Sequence, residues 1–111
     1  MNESPVFVRT YDLLLWLLPQ VQKFPRAYRF TLAEHIQRLA LQFQDSLIAA
    51  GKSQGNDRRA FLRRADVQLE QLRVSLRLCS EMQIITIRQY EHAAGLVSEV
   101  GRLLGAWIKQ G

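Results

Sequence analysis

Apolar residues recur along the chain at helical spacing in four segments, and nowhere in sustained alternation. A period near 3.6 marks amphipathic helices and a period of two marks strands, so the pattern predicts an all-α protein. The first segment spans about Val6–Lys23. Phe7, Tyr11, Leu14, Leu18 and Val21 follow 4-3-4-3 spacing, which puts them on one face. Leu13, Leu15, Trp16 and Leu17 fill other faces, so burial on more than one side is expected. Pro19 removes a backbone donor and crowds the carbonyl four residues before it, so a kink is predicted there.

The second segment spans about Arg29–Ala50, with Leu32, Ile36, Leu39, Phe43 and Leu47 on its inner face. Pro25 sets its approach, and Thr31 with Glu34 has the spacing of a capping box. Residues 51–57, Gly-Lys-Ser-Gln-Gly-Asn-Asp, read as the clearest loop. The third segment runs from a cap at Asn56 or Asp57 to about Glu81. Its seam is Leu62, Ala65, Leu69, Leu72, Leu76 and Cys79, and its opposite stripe, Arg59, Arg63, Asp66, Glu70, Arg73 and Arg77, is charged throughout. The fourth spans about Thr86–Lys109, with Thr86 and Gln89 spaced as a capping box.

Helices of about 20 residues, each about 30 Å long, joined by short links, predict one antiparallel up-down four-helix bundle over residues 1–111. The fourth helix has two apolar seams. One is Ile87, Tyr90, Ala94, Val97, Gly101, Leu104 and Ile108; the other is Ala93, Leu96, Val100, Leu103 and Trp107. Together they cover about twice the roughly 100° that a bundle helix needs. The excess is either buried deeper in the same bundle, under the first helix, or covered by another subunit. The second reading is preferred and places Leu96, Val100, Gly101, Leu103, Gly105 and Trp107 at an oligomer interface. Gly101 and Gly105, four apart, suit a close helix approach.

Charge changes this picture. Fifteen Lys and Arg against ten Asp and Glu give a formal net charge of +5, and only three of the cations are Lys. Arg suits phosphates and carboxylates through its planar fork, and it stacks on rings. Residues 23–64 hold nine cations and three anions, a local excess of +6, whereas residues 65–111 hold five of each. Lys23, Arg26, Arg29, Arg58, Arg59, Arg63 and Arg64 are therefore the candidate contacts to nucleic acid or to a protein partner. The up-down topology separates them into two groups at opposite ends of the bundle. Phe24 and Phe30 are expected to staple the helix entry onto the core; stacking on unpaired bases is the alternative for these two and for Tyr28.

Candidate chemistry adds little. His35 and His92 lack metal-ligand spacing, and Cys79 sits on an apolar seam. Residues 51–55 lack the Lys-Ser/Thr of a phosphate-binding loop. No catalytic residue, metal or cofactor is expected. One cysteine forms no internal disulfide, Met1–Pro5 lacks a basic leader pattern, and the longest apolar run, Leu13–Leu18, is too short to span a bilayer. A cytoplasmic protein without a membrane association is expected.

Four blocks carry a resemblance: Leu15-Trp16-Leu17-Leu18-Pro19; Lys23-Phe24-Pro25-Arg26, followed by Arg29-Phe30-Thr31-Leu32; Gln89-Tyr90-Glu91; and residues 99–109, Glu-Val-Gly-Arg-Leu-Leu-Gly-Ala-Trp-Ile-Lys. In this order they resemble the accessory variability determinant proteins of diversity-generating retroelements, from about Tyr11 to Lys109. The wider group includes four-helix proteins encoded in intervening sequences of bacterial ribosomal RNA genes. Arg26 and Ala33 stand where Lys and Gly are common in relatives. The resemblance implies a homopentameric basic barrel that binds a reverse transcriptase and its template RNA or cDNA. It also implies a non-catalytic part in mutagenic reverse transcription. A four-helix RNA-associated protein without a reverse transcriptase, or a purely structural oligomer, are the alternatives.

Overall fold

Four α-helices account for most of residues 4–111, the part of the chain that the computed structural model describes. They are α1 (Pro5–Gln22), α2 (Glu34–Gly51), α3 (Gly55–Glu81) and α4 (Ile87–Gln110). A 3-10 turn (Arg26–Tyr28) and a π-helical turn (Arg29–Ala33) join α1 to α2. No strand occurs among the described residues. Each helix packs on its chain neighbours and α1 closes the ring against α4, with α2 and α3 in the most extensive contact. The bundle measures 43 × 24 × 23 Å.

Helix α3 follows its sequence pattern residue for residue. Leu62, Ala65, Leu69, Leu72, Leu76 and Cys79 are its buried set, because their 3-4 repeat forms the most continuous apolar stripe on the helix, while Val67, Val74 and Leu78 lie off it and stay exposed. Ile36, Leu39, Phe43 and Leu47 of α2 are buried against it. Ser46 Oγ, also buried, donates to Gln68 Oε1 at 2.7 Å and fixes the register of the pair. The buried apolar side chains of all four helices form one continuous cluster.

Helix α1 differs from expectation. Its inner face is Val6, Thr10, Leu13, Leu14, Leu17 and Val21. Tyr11 and Leu15 are 58% and 61% exposed, and Leu18 is half-buried. Apolar residues on nearly every side gave two arcs of similar quality, and packing selects the one turned by about one residue. The helix continues through Pro19 to Gln22.

The ends differ more than the middles. Thr31 and Glu34 form no capping box, because residues 29–33 are already helical with π geometry and no side chain caps that end. Neither Asn56 nor Asp57 caps α3: the cap position is Gln54, and Gly55 takes φ +59° to turn the chain into the helix. The loop before α3 is thus only residues 52–54. Thr86 caps α4 as expected. Its Oγ1 accepts from the Gln89 N–H at 3.1 Å, and Gln89 Oε1 accepts from the Thr86 N–H at 2.8 Å. Helix α3 ends in a left-handed turn at Gln83 (φ 62°), where the Ile84 N–H donates to Cys79 O and the Gln83 N–H to Ser80 O.

Candidate nucleic-acid interface

Five ion pairs occur among the described residues, and all are three or four residues apart on one helix: Arg9–Asp12, Arg38–Glu34, Arg73–Glu70, Arg77–Glu81 and Arg102–Glu99. None involves any of the seven candidate cations. Hydrogen bonding from Arg73 and Arg102 holds the Glu70 and Glu99 carboxyls below the usual range. These exposed local pairs contribute tenths of a kcal/mol each. Their pairing cancels charge locally and leaves the excess with the cations outside the pairs, the seven candidates together with Lys52, Arg88 and Lys109.

The up-down topology splits those candidates between two ends. At one end, Lys23 lines a small cavity of about 70 Å³ with Phe24, Ile84, Ile85 and Gln89, so the α1–α2 connection lies beside the α3–α4 link. That volume is well below the several hundred Å³ of an ordinary ligand site. Arg26 and Arg29 are exposed on the turns that follow. Arg88, in the first turn of α4 where the helix dipole is already positive, adds to the same field. Phe24 is 8% exposed and staples the turn to the core, as expected, with Tyr28 half-buried near it. Phe30 is 79% exposed and staples nothing, a correction to its expected role. The π-helical turn adds a residue to the local repeat and aims this ring at solvent.

At the other end, the four arginines have unlike surroundings. Arg59 donates to Asn56 Oδ1 and is otherwise exposed, as is Arg63. Arg64 lies 5.5 Å from the Phe61 ring centroid, in a shallow cleft that also contains Asp45 and Gln68. Arg58 is half-buried. Its Nε donates to Ala50 O at 3.0 Å, and its guanidinium sits 5.9 Å from the Trp107 centroid. Trp107 in turn packs on Phe7 at 5.7 Å. Arg58 therefore ties the end of α2 to α4 through α3, and it is less free for a ligand than its three neighbours.

The expected oligomer residues of α4 divide in the same way. Val100 is fully buried in the protomer's own core, which removes it from any contact with a neighbour. A Cβ on Gly101 would lie 3.6 Å from Leu69 Cδ2 of the same chain, whereas one on Gly105 would meet open space. Leu96, Leu103 and Trp107 are partly buried and pack on the intrachain core. Trp16 of α1 contacts His92 at 4.7 Å on this flank. Helix α1 on one side and α3 on the other thus cover much of the wide apolar arc. On α4 itself only the two ends, Ile87 and Ile108, leave large apolar side chains in water among the described residues; the others sit mainly at Tyr11 and Leu15 of α1, Leu41 and Ile48 of α2, and Val67, Val74 and Leu78 of α3. Among the described residues there is no cluster of three or more His, Cys, Asp or Glu suited to a metal and no helix long and apolar enough to cross a membrane. Burial pushes the Cys79 thiol up to about 11.

The model of the bAvd-like family matches the chain over residues 6–111. The chain belongs to the bAvd-like family. All four helices fall essentially within the matched region, as do both basic groups. A crystal structure of a protein of unknown function from the S23 ribosomal protein family of Bacteroides thetaiotaomicron superposes with a TM-score of 0.85. It is 20% identical, with 94% of this chain and 95% of that one covered. At that identity the likeness establishes the four-helix fold alone. No match was found among curated proteins. Within this bAvd-like chain the exposed Phe30 is, among the candidate binding residues, the one whose place apolar spacing does not locate. Its only signal was position: an aromatic directly after Arg29, just past a Pro-initiated turn.

Proposed function

We propose that this bAvd-like protein is a non-enzymatic accessory subunit of a diversity-generating retroelement. In this reading it binds the reverse transcriptase and the template RNA or cDNA, and supports mutagenic reverse transcription in the cytoplasm. The observation that carries the nucleic-acid part is the distribution of charge. Seven cations, Lys23, Arg26, Arg29, Arg58, Arg59, Arg63 and Arg64, take no part in an ion pair among the described residues, while the acidic residues nearby are few. Phosphates neutralised by such groups release counterions, which drives binding without base readout. Arg58 contributes mainly by holding its end of the bundle, so the direct contacts fall to the other six.

The protomers assemble as a homo-oligomer, a pentamer by the family resemblance. Leu96, Leu103, Gly105 and Trp107 of α4 supply one side of the contact, joined by Tyr11 and Leu15 on the uncovered side of α1. Open space at Gly105 and the exposure of Tyr11 and Leu15 support this reading. Assembly would bring the two basic ends of each protomer into rings, and so raise the local density of positive charge.

The test is co-expression of the tagged protein with the reverse transcriptase of its own locus. Capture of both polymerase and RNA, with five copies per complex by light scattering, is the expected outcome. RNA without polymerase would favour the RNA-associated alternative. Neither ligand would leave a structural oligomer.

A further inference from the structure

Phe30 is the large apolar side chain that the protomer uses least. At 79% it is the most exposed of those among the described residues. Its position is set by ordered backbone on both sides. Phe24 is buried before it, Ala33 is buried after it, and two tight helical turns connect them. Water therefore surrounds a ring that the chain holds outward, in a π-helical turn of the kind often found at functional sites. Lys23, Arg26 and Arg29 precede it within seven positions, are exposed, and make no side-chain hydrogen bond or ion pair among the described residues. No acidic residue lies between Asp12 and Glu34, and both of those are already paired, with Arg9 and Arg38. An exposed aromatic face within an uncompensated positive field is the combination that unpaired nucleotides require: a surface for the base and cations for the flanking phosphates.

We propose that Phe30 is a stacking platform for an unpaired base, which makes this end of the bundle selective for single-stranded nucleic acid over duplex. Lys23, Arg26 and Arg29 hold the adjoining phosphates. The inference rests on the nucleic-acid reading above and narrows it. Stacked bases inside a duplex offer no free face to a ring projecting from a helical turn, whereas every unpaired base does, so the preference is for strandedness and not for sequence. Binding to this end is then spread over a stacking contribution, insensitive to salt, and a phosphate contribution that falls with salt.

The experiment compares full-length wild type with Phe30→Leu and Phe30→Tyr. Each is titrated with a single-stranded RNA of about ten nucleotides carrying a fluorescent adenine analogue, and with a blunt duplex of the same length at equal salt. Leu keeps an apolar side chain but not the ring. It is expected to weaken single-strand binding about 5- to 150-fold, as for loss of one base–aromatic stack, and to leave duplex binding within about twofold. Tyr is expected to restore both the affinity and the quenching of the fluorescent base. Unchanged single-strand affinity in Phe30→Leu, or an equal loss on duplex, would overturn the proposal. A changed oligomeric state would overturn it too by making Phe30 a subunit contact, and so would lost polymerase capture with RNA binding intact, by making it a protein contact. If wild type binds neither RNA, the nucleic-acid reading itself fails. If wild type binds both and only the dependence on Phe30 is missing, this inference alone fails.

Discussion

Replacing Arg58 separates a residue that holds the bundle together from one that meets a ligand. Its Nε–H···O=C bond to Ala50 is charge-assisted and half-buried, and such bonds contribute about 1.5–3 kcal/mol net. Ala50 O also accepts from the Ser53 N–H at 3.2 Å, so the carbonyl is not orphaned when Arg58 is lost. That places the loss at the lower end of the range. The guanidinium on Trp107 adds about 0.5–1 kcal/mol at this degree of exposure. Arg58→Met keeps most of the apolar stem and removes both interactions, so it should cost about 2 kcal/mol. With an unfolding entropy of about 2.1 cal/mol/K per residue, that is a fall in melting temperature of about 9 °C. Urea titrations followed by circular dichroism give the free energy, with Arg63→Met as the exposed control, expected within about 0.5 kcal/mol of wild type. A double-mutant cycle with Trp107→Leu should recover a coupling of about 0.5–1 kcal/mol. Equal stabilities of Arg58→Met and Arg63→Met would refute the structural role of Arg58 and return it to the ligand-binding set.

Three further outcomes follow from local geometry. Gly95→Ala should stabilise by about 0.8–1 kcal/mol in urea, since a Cβ there meets nothing; Gly105→Ala should match it in a monomer but disturb assembly in light scattering if a neighbouring helix packs there. Gln83→Gly should stabilise by about 0.5–1 kcal/mol in the same assay, because Gln83 sits at φ 62° and glycine adopts that conformation without strain. Cys79 ionises near 11 when folded and near 9.0 when exposed, so its contribution is fully present below pH 9 and is lost as the pH rises toward 11. Comparison with Cys79→Ala across that window should reveal the difference, and iodoacetamide at pH 8 should label the native thiol only as fast as the protein unfolds.

What the sequence made legible depends on how many alternatives each segment offered. The α3 seam was readable because Leu62, Ala65, Leu69, Leu72, Leu76 and Cys79 keep a 3-4 repeat along the whole helix, whereas Val67, Val74 and Leu78 make only a shorter stripe. The Thr86 cap was readable because its partner, Gln89, lies three residues on. The α1 face was not readable: with leucines at 13, 14, 15, 17 and 18, several arcs satisfy the same period. The Thr31–Glu34 spacing had the right residues in the wrong place, since the turns set up by Pro25 start helical geometry before Thr31. The same turns expose Phe30, and no pattern of apolar spacing encodes a π-helical residue. On α4 the apolar arc was legible but what covers it was not decided by spacing: Phe7 and Trp16 of α1 and Leu69 of α3 take up part of it, in line with the alternative of burial under the first helix. Among the basic residues, their clustering was legible in the sequence. That Arg58 differs from Arg59, Arg63 and Arg64 was not, because it depends on a carbonyl eight residues back and a tryptophan on another helix.

The central claim is that unpaired cations at the ends of the bundle bind nucleic acid through its phosphates. It is tested most directly by the salt dependence of binding to a single-stranded RNA. Wild type is compared with a variant carrying Arg59→Gln, Arg63→Gln and Arg64→Gln, which leaves Arg58 and the fold in place. The logarithm of the association constant should fall linearly with the logarithm of salt concentration. Removing three phosphate contacts per protomer should make that slope shallower by about 2. An unchanged slope and affinity in the variant, at unchanged thermal stability, would contradict the account.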